Sequence, residues 1–172
     1  ISNFRFMVLV LRQKIDHQLS NYPALHAMKI LVFAEQRDSK FKKPAYEAVK
    51  TARMLADKLS CEVVAIVVGD NIQSIAPALG GFGAHKVLAA EDGKLARYAP
   101  NAYARIVAEA ALAQGTTVVL MAATALGKDL APRVAVKLDA GLASECTGLD
   151  IQGGEILATR PVFAGKALAQ LK

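Results

Sequence analysis

A chain of 172 residues, 53% of them hydrophobic, with 12 glycines and 6 prolines, has the makeup of one folded domain with a substantial core and excludes a disordered or fibrous protein. Its net charge of +6 is scattered, and the one basic cluster, Lys40, Lys42 and Lys43, has only Phe41 as an aromatic neighbour, so nucleic acid is not the expected partner. No apolar run reaches the roughly 18 residues of a membrane span, and Cys61 and Cys146 form neither a CxxC nor a disulfide framework, which makes a reducing cytoplasm the expected setting.

Residues 1–27 read as an N-terminal extension. Phe6 to Leu11 is a short apolar run, too short for a secretory core, and the stretch from Arg12 to Leu19 is polar with weak helical spacing. At Met28 the character changes, and residues 28–172 read as one domain. Lys29 to Glu35 is a buried strand by composition. A polar loop leads to Pro44, suited to the first turn of a helix over 44–59, where Ala45, Ala48, Ala52, Leu55 and Leu59 make one apolar stripe. A β-branched strand follows over 62–68, then a short helix over 72–79 that Gly80-Gly81 is expected to stop. The next elements are a strand over 86–90, a helix over 99–113 ended by Gly115, a strand over 117–122 and a helix over 130–138. Strands alternating with helices in this way predict an α/β fold, a mainly parallel sheet with helices on both faces.

After Gly141 the pattern changes. The segments 147–151 and 155–159 read as strands around a Gly153-Gly154 hairpin, and 161–163 and 166–171 extend them into a small antiparallel annex. A sheet with that apolar load cannot stand alone: one face is expected to pack on the parallel core, and the other to meet a partner or a second copy of the chain. The chain reaches Lys172 within or just after a strand, which reads as a truncation.

Several motifs fail on inspection. Gly80-Gly81-Phe82-Gly83 follows a helix and precedes a strand, the wrong order for a dinucleotide fingerprint. Gly127-Lys128 has the look of a P-loop end, but Asp129 stands where Ser or Thr is required and Ala122 where the first glycine belongs. The loop does sit at the sheet's carboxyl edge before a helix, so Thr124, Gly127 and Lys128 are weak candidates for an anion site. The alternative is an ordinary strand-to-helix loop capped by Asp129. His17, His26 and His85 have no metal-ligand spacing, and no catalytic group of residues emerges. Glu145 reads as a salt-bridging carboxylate, and Arg133 and Arg160 as structural or interface arginines.

Residues 123–135, ATALGKDLAPRVA, resemble the signature of the electron-transfer flavoprotein alpha subunit, roughly AT-x-x-G-[KR]-[DN]-L-x-PRVA. The segment 138–149, with Gly141-Leu142 and Glu145-Cys146-Thr147, is similar to that family's GL-x-x-[DE]-CT stretch, and Thr159 to Lys166 resembles its TRP-x-[FY]-x-G-[NK] strand. Met28 to Glu35 resembles its opening strand. The departures are mild at Lys166, where Asn is usual, and at Ala164, where Gly is common; the larger one is length. The resemblance implies an adenine nucleotide alpha hydrolase-like fold and the N-terminal domain of an alpha subunit. It implies a heterodimeric electron carrier with FAD in its full-length members, reduced by dehydrogenases and oxidised by a quinone reductase or another acceptor. It also implies that the domain packs against the beta subunit, with Asp129, Pro132, Arg133, Arg160, Pro161 and Phe163 as signature or interface residues. Members continue into a flavin-holding domain, so the resemblance implies a scaffold without catalytic residues, not an enzyme, that binds FAD weakly at best by itself. The alternative is a stand-alone nucleotide-binding module similar to universal stress proteins.

Overall fold

The computed structural model describes residues 4–11 and 28–172. The chain forms β1 (Phe6–Leu11), β2 (Lys29–Phe33), a small hairpin of β3 (Gln36–Arg37) and β4 (Lys40–Phe41), then α1 (Lys43–Leu59) and β5 (Glu62–Gly69). A 3-10 segment, Ala76–Phe82, leads to β6 (Lys86–Glu91), α2 (Pro100–Gln114), β7 (Val118–Ala122), α3 (Ala125–Leu138) and β8 (Ala140–Cys146). The annex consists of β9 (Gly148–Gln152), β10 (Glu155–Val162) and β11 (Ala167–Leu171).

β6, β5, β2 and β7 lie side by side and parallel, which bears out the α/β reading. They do not follow chain order. The chain winds outward from β2 through β5 to β6, then returns through α2 to β7 on the other flank of β2. The period-2 alternation of side chains divides the core in two. Ile30 and Val32 of β2 face Ala45, Ala48, Val49, Ala52 and Leu55 of α1, the stripe expected from the sequence. Leu31 and Phe33 face α2 and α3, where Val107, Ala111, Leu130 and Val134 pack.

Three expectations are corrected. The helix expected over 72–79 is a 3-10 segment that runs through Gly80-Gly81 and stops at Gly83. Gly83 has φ 115°, and a Cβ there would lie 2.7 Å from Cβ of Arg53. The helix expected from residue 130 begins at Ala125, because Thr124 and not Asp129 is its cap. Ala140–Cys146 is a strand that the sequence reading did not separate from the bend after Gly141.

The segment 6–11, read as part of an extension, lies inside the main sheet. β1 pairs antiparallel with β7 on one side and with β8 on the other. Phe6, Met7, Val8 and Leu9 are all buried and divide alternately between the two cores. Beyond β8, the annex pairs in the order β11-β10-β9, all antiparallel, with the expected hairpin at Gly153 and Gly154 in the left-handed region. Pro161 is tolerated in the middle strand because β9 ends opposite Thr159, leaving one flank of β10 free there. Ile156 and Ala158 pack into the α1-side core, and Lys58 of α1 holds Asp150 at 2.6 Å.

Candidate functional site

The reversal of strand order at β2 and β7 opens a crevice at their carboxyl ends, where ligands settle in doubly wound sheets. Glu35 follows β2 there and Thr124 follows β7. The Thr124 hydroxyl donates to the Glu35 carboxylate and accepts the Gly127 amide at 3.0 Å, which makes Thr124 the N-cap of α3. A Cβ on Gly127 would lie 2.0 Å from the Ala122 carbonyl oxygen, so only glycine lets α3 start this close to β7.

The next two residues are held by partners in the chain. Lys128 pairs with Glu145, whose other oxygen takes Arg5 at 2.6 Å. Lys128 first, then Arg5, hold the Glu145 carboxyl below the usual glutamate range. Glu145 is thus the salt-bridging carboxylate expected, at a left-handed φ of 57°. Asp129 accepts from the Tyr98 hydroxyl at 2.7 Å and from Arg133 at 3.2 and 3.1 Å. Arg133 and then Tyr98 lower the Asp129 carboxyl, while burial and then Asp129 push the Tyr98 phenol up.

Of the anion-site candidates, therefore, the Thr124 hydroxyl and the Lys128 ammonium already have partners in the chain, and a carboxylate faces the α3 N-terminus. The crevice broadens into an open hollow of about 680 Å³ bounded by Glu35, Arg37, Asp38, Arg97, Tyr98 and Leu126. A pyrophosphate seated at the helix N-terminus would meet the Glu35 carboxylate, while around the hollow Arg37 and Arg97 balance the charges of Glu35 and Asp38.

A second cluster gathers the annex candidates. Arg160, Pro161 and Phe163 border a hollow of about 540 Å³ that Arg5 and Glu145 close from the other side. The Arg160 Nε is buried with no hydrogen-bond partner among the described residues. Phe163 stands 80% exposed at the turn into β11. It has φ 51° and Ala164 has φ 54°, a conformation that costs a bulky residue about 1–2 kcal/mol. Pro132 and Arg133 are exposed on α3 beside Val136, itself 84% exposed. The Lys128–Glu145–Arg5 bridge links the two clusters. Arg5, Glu35 and Tyr98 were not anticipated. For Glu35 a signal existed, its place at the carboxyl end of a parallel strand; for Arg5 and Tyr98 there was none.

The fold and this crevice define a doubly wound α/β domain. The model of the electron transfer flavoprotein domain matches residues 30–172, and the chain belongs to that family. The resemblance to alpha subunits is borne out. The chain is 41% identical over 144 residues to the electron transfer flavoprotein subunit alpha of Thermoanaerobacterium thermosaccharolyticum, covering 83% of this chain and 44% of that protein. It is 35% identical over 143 residues to the corresponding subunit of Bacillus subtilis, covering 83% and 43%. It is also 38% identical over 122 residues to the acryloyl-CoA reductase electron transfer subunit beta of Anaerotignum propionicum, covering 71% and 33%. The chain thus spans less than half the length of these relatives.

Proposed function

We propose that residues 28–172 are the scaffold domain of an alpha-type subunit in a heterodimeric, FAD-containing electron carrier. The carrier takes electrons from dehydrogenases and passes them to a quinone reductase or another acceptor. The observation that carries this reading is the match to alpha subunits over 83% of the chain. The structure supports a scaffold role: the signature residues Thr124, Gly127, Lys128, Asp129 and Arg133 are engaged in shaping the β7–α3 junction. Flavin chemistry belongs to the cofactor, and the protein contributes positioning and electrostatics. The chain covers 44% of its Thermoanaerobacterium relative, and the flavin is assigned to other parts of the carrier. No helix among the described residues is long and apolar enough to cross a membrane; with free Cys61 and Cys146, the setting proposed is the cytoplasm.

The partner proposed is a beta subunit, and the surface is the outer face of the annex. Phe163 and Leu168 are exposed there, and Phe163 is held outward despite its strained backbone. Without that partner, a second copy of the chain is expected to cover the face. The test is co-purification with a beta subunit from one of the relatives, compared with a Phe163→Gly variant. The variant should lose the partner while gaining about 1 kcal/mol of stability from relief at φ 51°. Partner binding unchanged by Phe163→Gly would remove the annex from the interface. Micromolar binding of AMP or ATP by the isolated chain would favour the stand-alone nucleotide module instead.

A further inference from the structure

Folding surrounds the basic cluster Lys40, Lys42 and Lys43 with a fourth lysine, Lys50, and with four aromatic rings. Residues 36–53, which span the β3–β4 hairpin and the first turns of α1, hold six basic and two acidic side chains. Lys40, Lys42, Lys43 and Lys50 are all exposed, and none of them forms an ion pair among the described residues.

Aromatic rings fix two of these lysines. The Lys43 Nζ lies 5.6 Å from the centre of the Phe4 ring, and the Lys50 Nζ lies 5.4 Å from that of Phe82. Tyr46 packs on Phe82 at 4.1 Å and meets Phe41 of β4 edge-on at 5.6 Å. Lys43, Tyr46 and Lys50 follow one another at steps of three and four residues, so they share one face of α1. The hairpin and the helix therefore present a single array of ammonium groups.

That array works against the helix that carries it. α1 has Lys42 as its N-cap, no side-chain cap and no acidic residue in its first turn. Lys42 and Lys43 thus stand at the end of the helix where the backbone is already partly positive, and their charges oppose it. α3 shows the ordinary solution, with the Thr124 hydroxyl accepting the Gly127 amide. Lys42 has the extended backbone of a normal N-cap, φ −93° and ψ 157°, so nothing in its conformation prevents a capping residue there. A local choice that costs stability in this way is expected where a surface serves a partner.

The chemistry selects among anionic partners. Single-stranded nucleic acid needs ring faces on which to stack its bases, but Lys43 already lies over Phe4, and Lys50 and Tyr46 over Phe82. A lipid surface needs apolar side chains that can enter it, but Phe4, Phe41, Tyr46 and Phe82 are all half-buried. Carboxylates on a protein require only ammonium groups held in place along a surface. We propose that Lys40, Lys42, Lys43 and Lys50 form a docking surface for an acidic protein segment, one that carries several Asp or Glu side chains. The surface lies at the opposite end of α1 from Lys58, which holds Asp150 of the annex, and is separate from the face proposed for a beta subunit.

The probe is a fluorescent peptide of about ten glutamates, titrated into the full chain with anisotropy as the readout. The parent chain should bind it, and the affinity should fall at least about ten-fold between roughly 50 and 300 mM salt. Lys42→Asp should weaken binding by about ten-fold at low salt. Lys137→Asp makes the same charge change on α3, which packs on the opposite face of the sheet, and should weaken it by less than about two-fold. Lys42→Asp should also raise the melting temperature, because it supplies a cap of the right charge. The proposal falls if Lys42→Asp melts below the parent chain, which would give Lys42 a part in the fold. It falls equally if the two variants weaken the peptide alike, which would leave net charge as the cause. Tighter binding of a deoxythymidine strand of the same charge, or capture by phosphatidylserine vesicles that Lys42→Asp abolishes, would overturn the choice of a protein partner.

Discussion

The two flanks of β7 are built by different rules. On the β2 flank, each strand is followed by a crossover that returns the chain to the same sheet, and the interiors of β2 and β5 are rich in β-branched residues and buried on both faces, with only the edge strand β6 half-buried. On the β8 flank, the neighbouring strand comes from far away in sequence, the edge strand is made of small and half-buried residues, and the annex leaves Leu168 67% exposed. The first flank is closed by its own local pattern. The second depends on pieces that arrive from elsewhere, and it is there that Arg5, Glu145, Arg160 and Phe163 collect.

The largest break in this contrast should come at the junction between the two flanks. Gly127→Ala places a methyl 2.0 Å from the Ala122 carbonyl oxygen, a backbone atom that cannot swing away. α3 must then shift off β7, and the expected cost is about 3 kcal/mol or more. Denaturant unfolding followed by circular dichroism measures it. A loss below about 1 kcal/mol would mean that the α3 N-terminus has room to move.

A matched pair of leucines tests the contrast directly. Leu120 of β7 is fully buried, whereas Leu168 of β11 is mostly exposed. Leu120→Ala should cost about 3 kcal/mol and Leu168→Ala less than about 0.5 kcal/mol in the isolated chain at low concentration. At concentrations where chains associate, Leu168→Ala should weaken the assembly, as sedimentation would show. A Leu168→Ala loss comparable with that of Leu120→Ala under dilute conditions would show that the annex face is covered from within.

The same contrast explains what was legible in the sequence. β2, β5 and β7 announced themselves because an apolar strand in a parallel sheet is buried on both faces and its sequence says so, while the half-buried edge strand β6 was marked by the Asp92-Gly93 break after it. β8 did not, because Ala140–Cys146 is an edge strand of alanine, glycine and serine with little period-2 contrast. The apolar run at 6–11 was visible, but its place was not: nothing local states that α3 skips a strand position. At the site, Thr124 three residues before Gly127 is a legitimate cap signal, yet Asp129 competed with it. The choice depends on Asp129 having Tyr98 and Arg133 as partners, a tertiary fact. Phe163 could be picked out only through its resemblance to the family signature, since its exposure and its φ of 51° belong to the folded chain.

The smallest expected effect concerns the charge bridge that joins the flanks. Lys128 and Arg5 depress the folded-state pKa of Glu145, so its contribution is fully present above the unfolded glutamate value of about 4.3. That contribution is lost as pH falls through the depressed folded value, when protonated Glu145 releases both cations. Both partners are about half exposed in their side chains, which limits the effect to well under 1 kcal/mol. Glu145→Gln should therefore melt slightly below the parent chain at pH 7. The gap should close as both are acidified below about pH 4, with the parent chain losing stability faster because it alone has a charge to lose. Added salt at pH 7 should narrow the gap as well, since the pairs are open to solvent. A gap that stays constant from pH 7 to about pH 3 would show that the charge of Glu145 is not its cause.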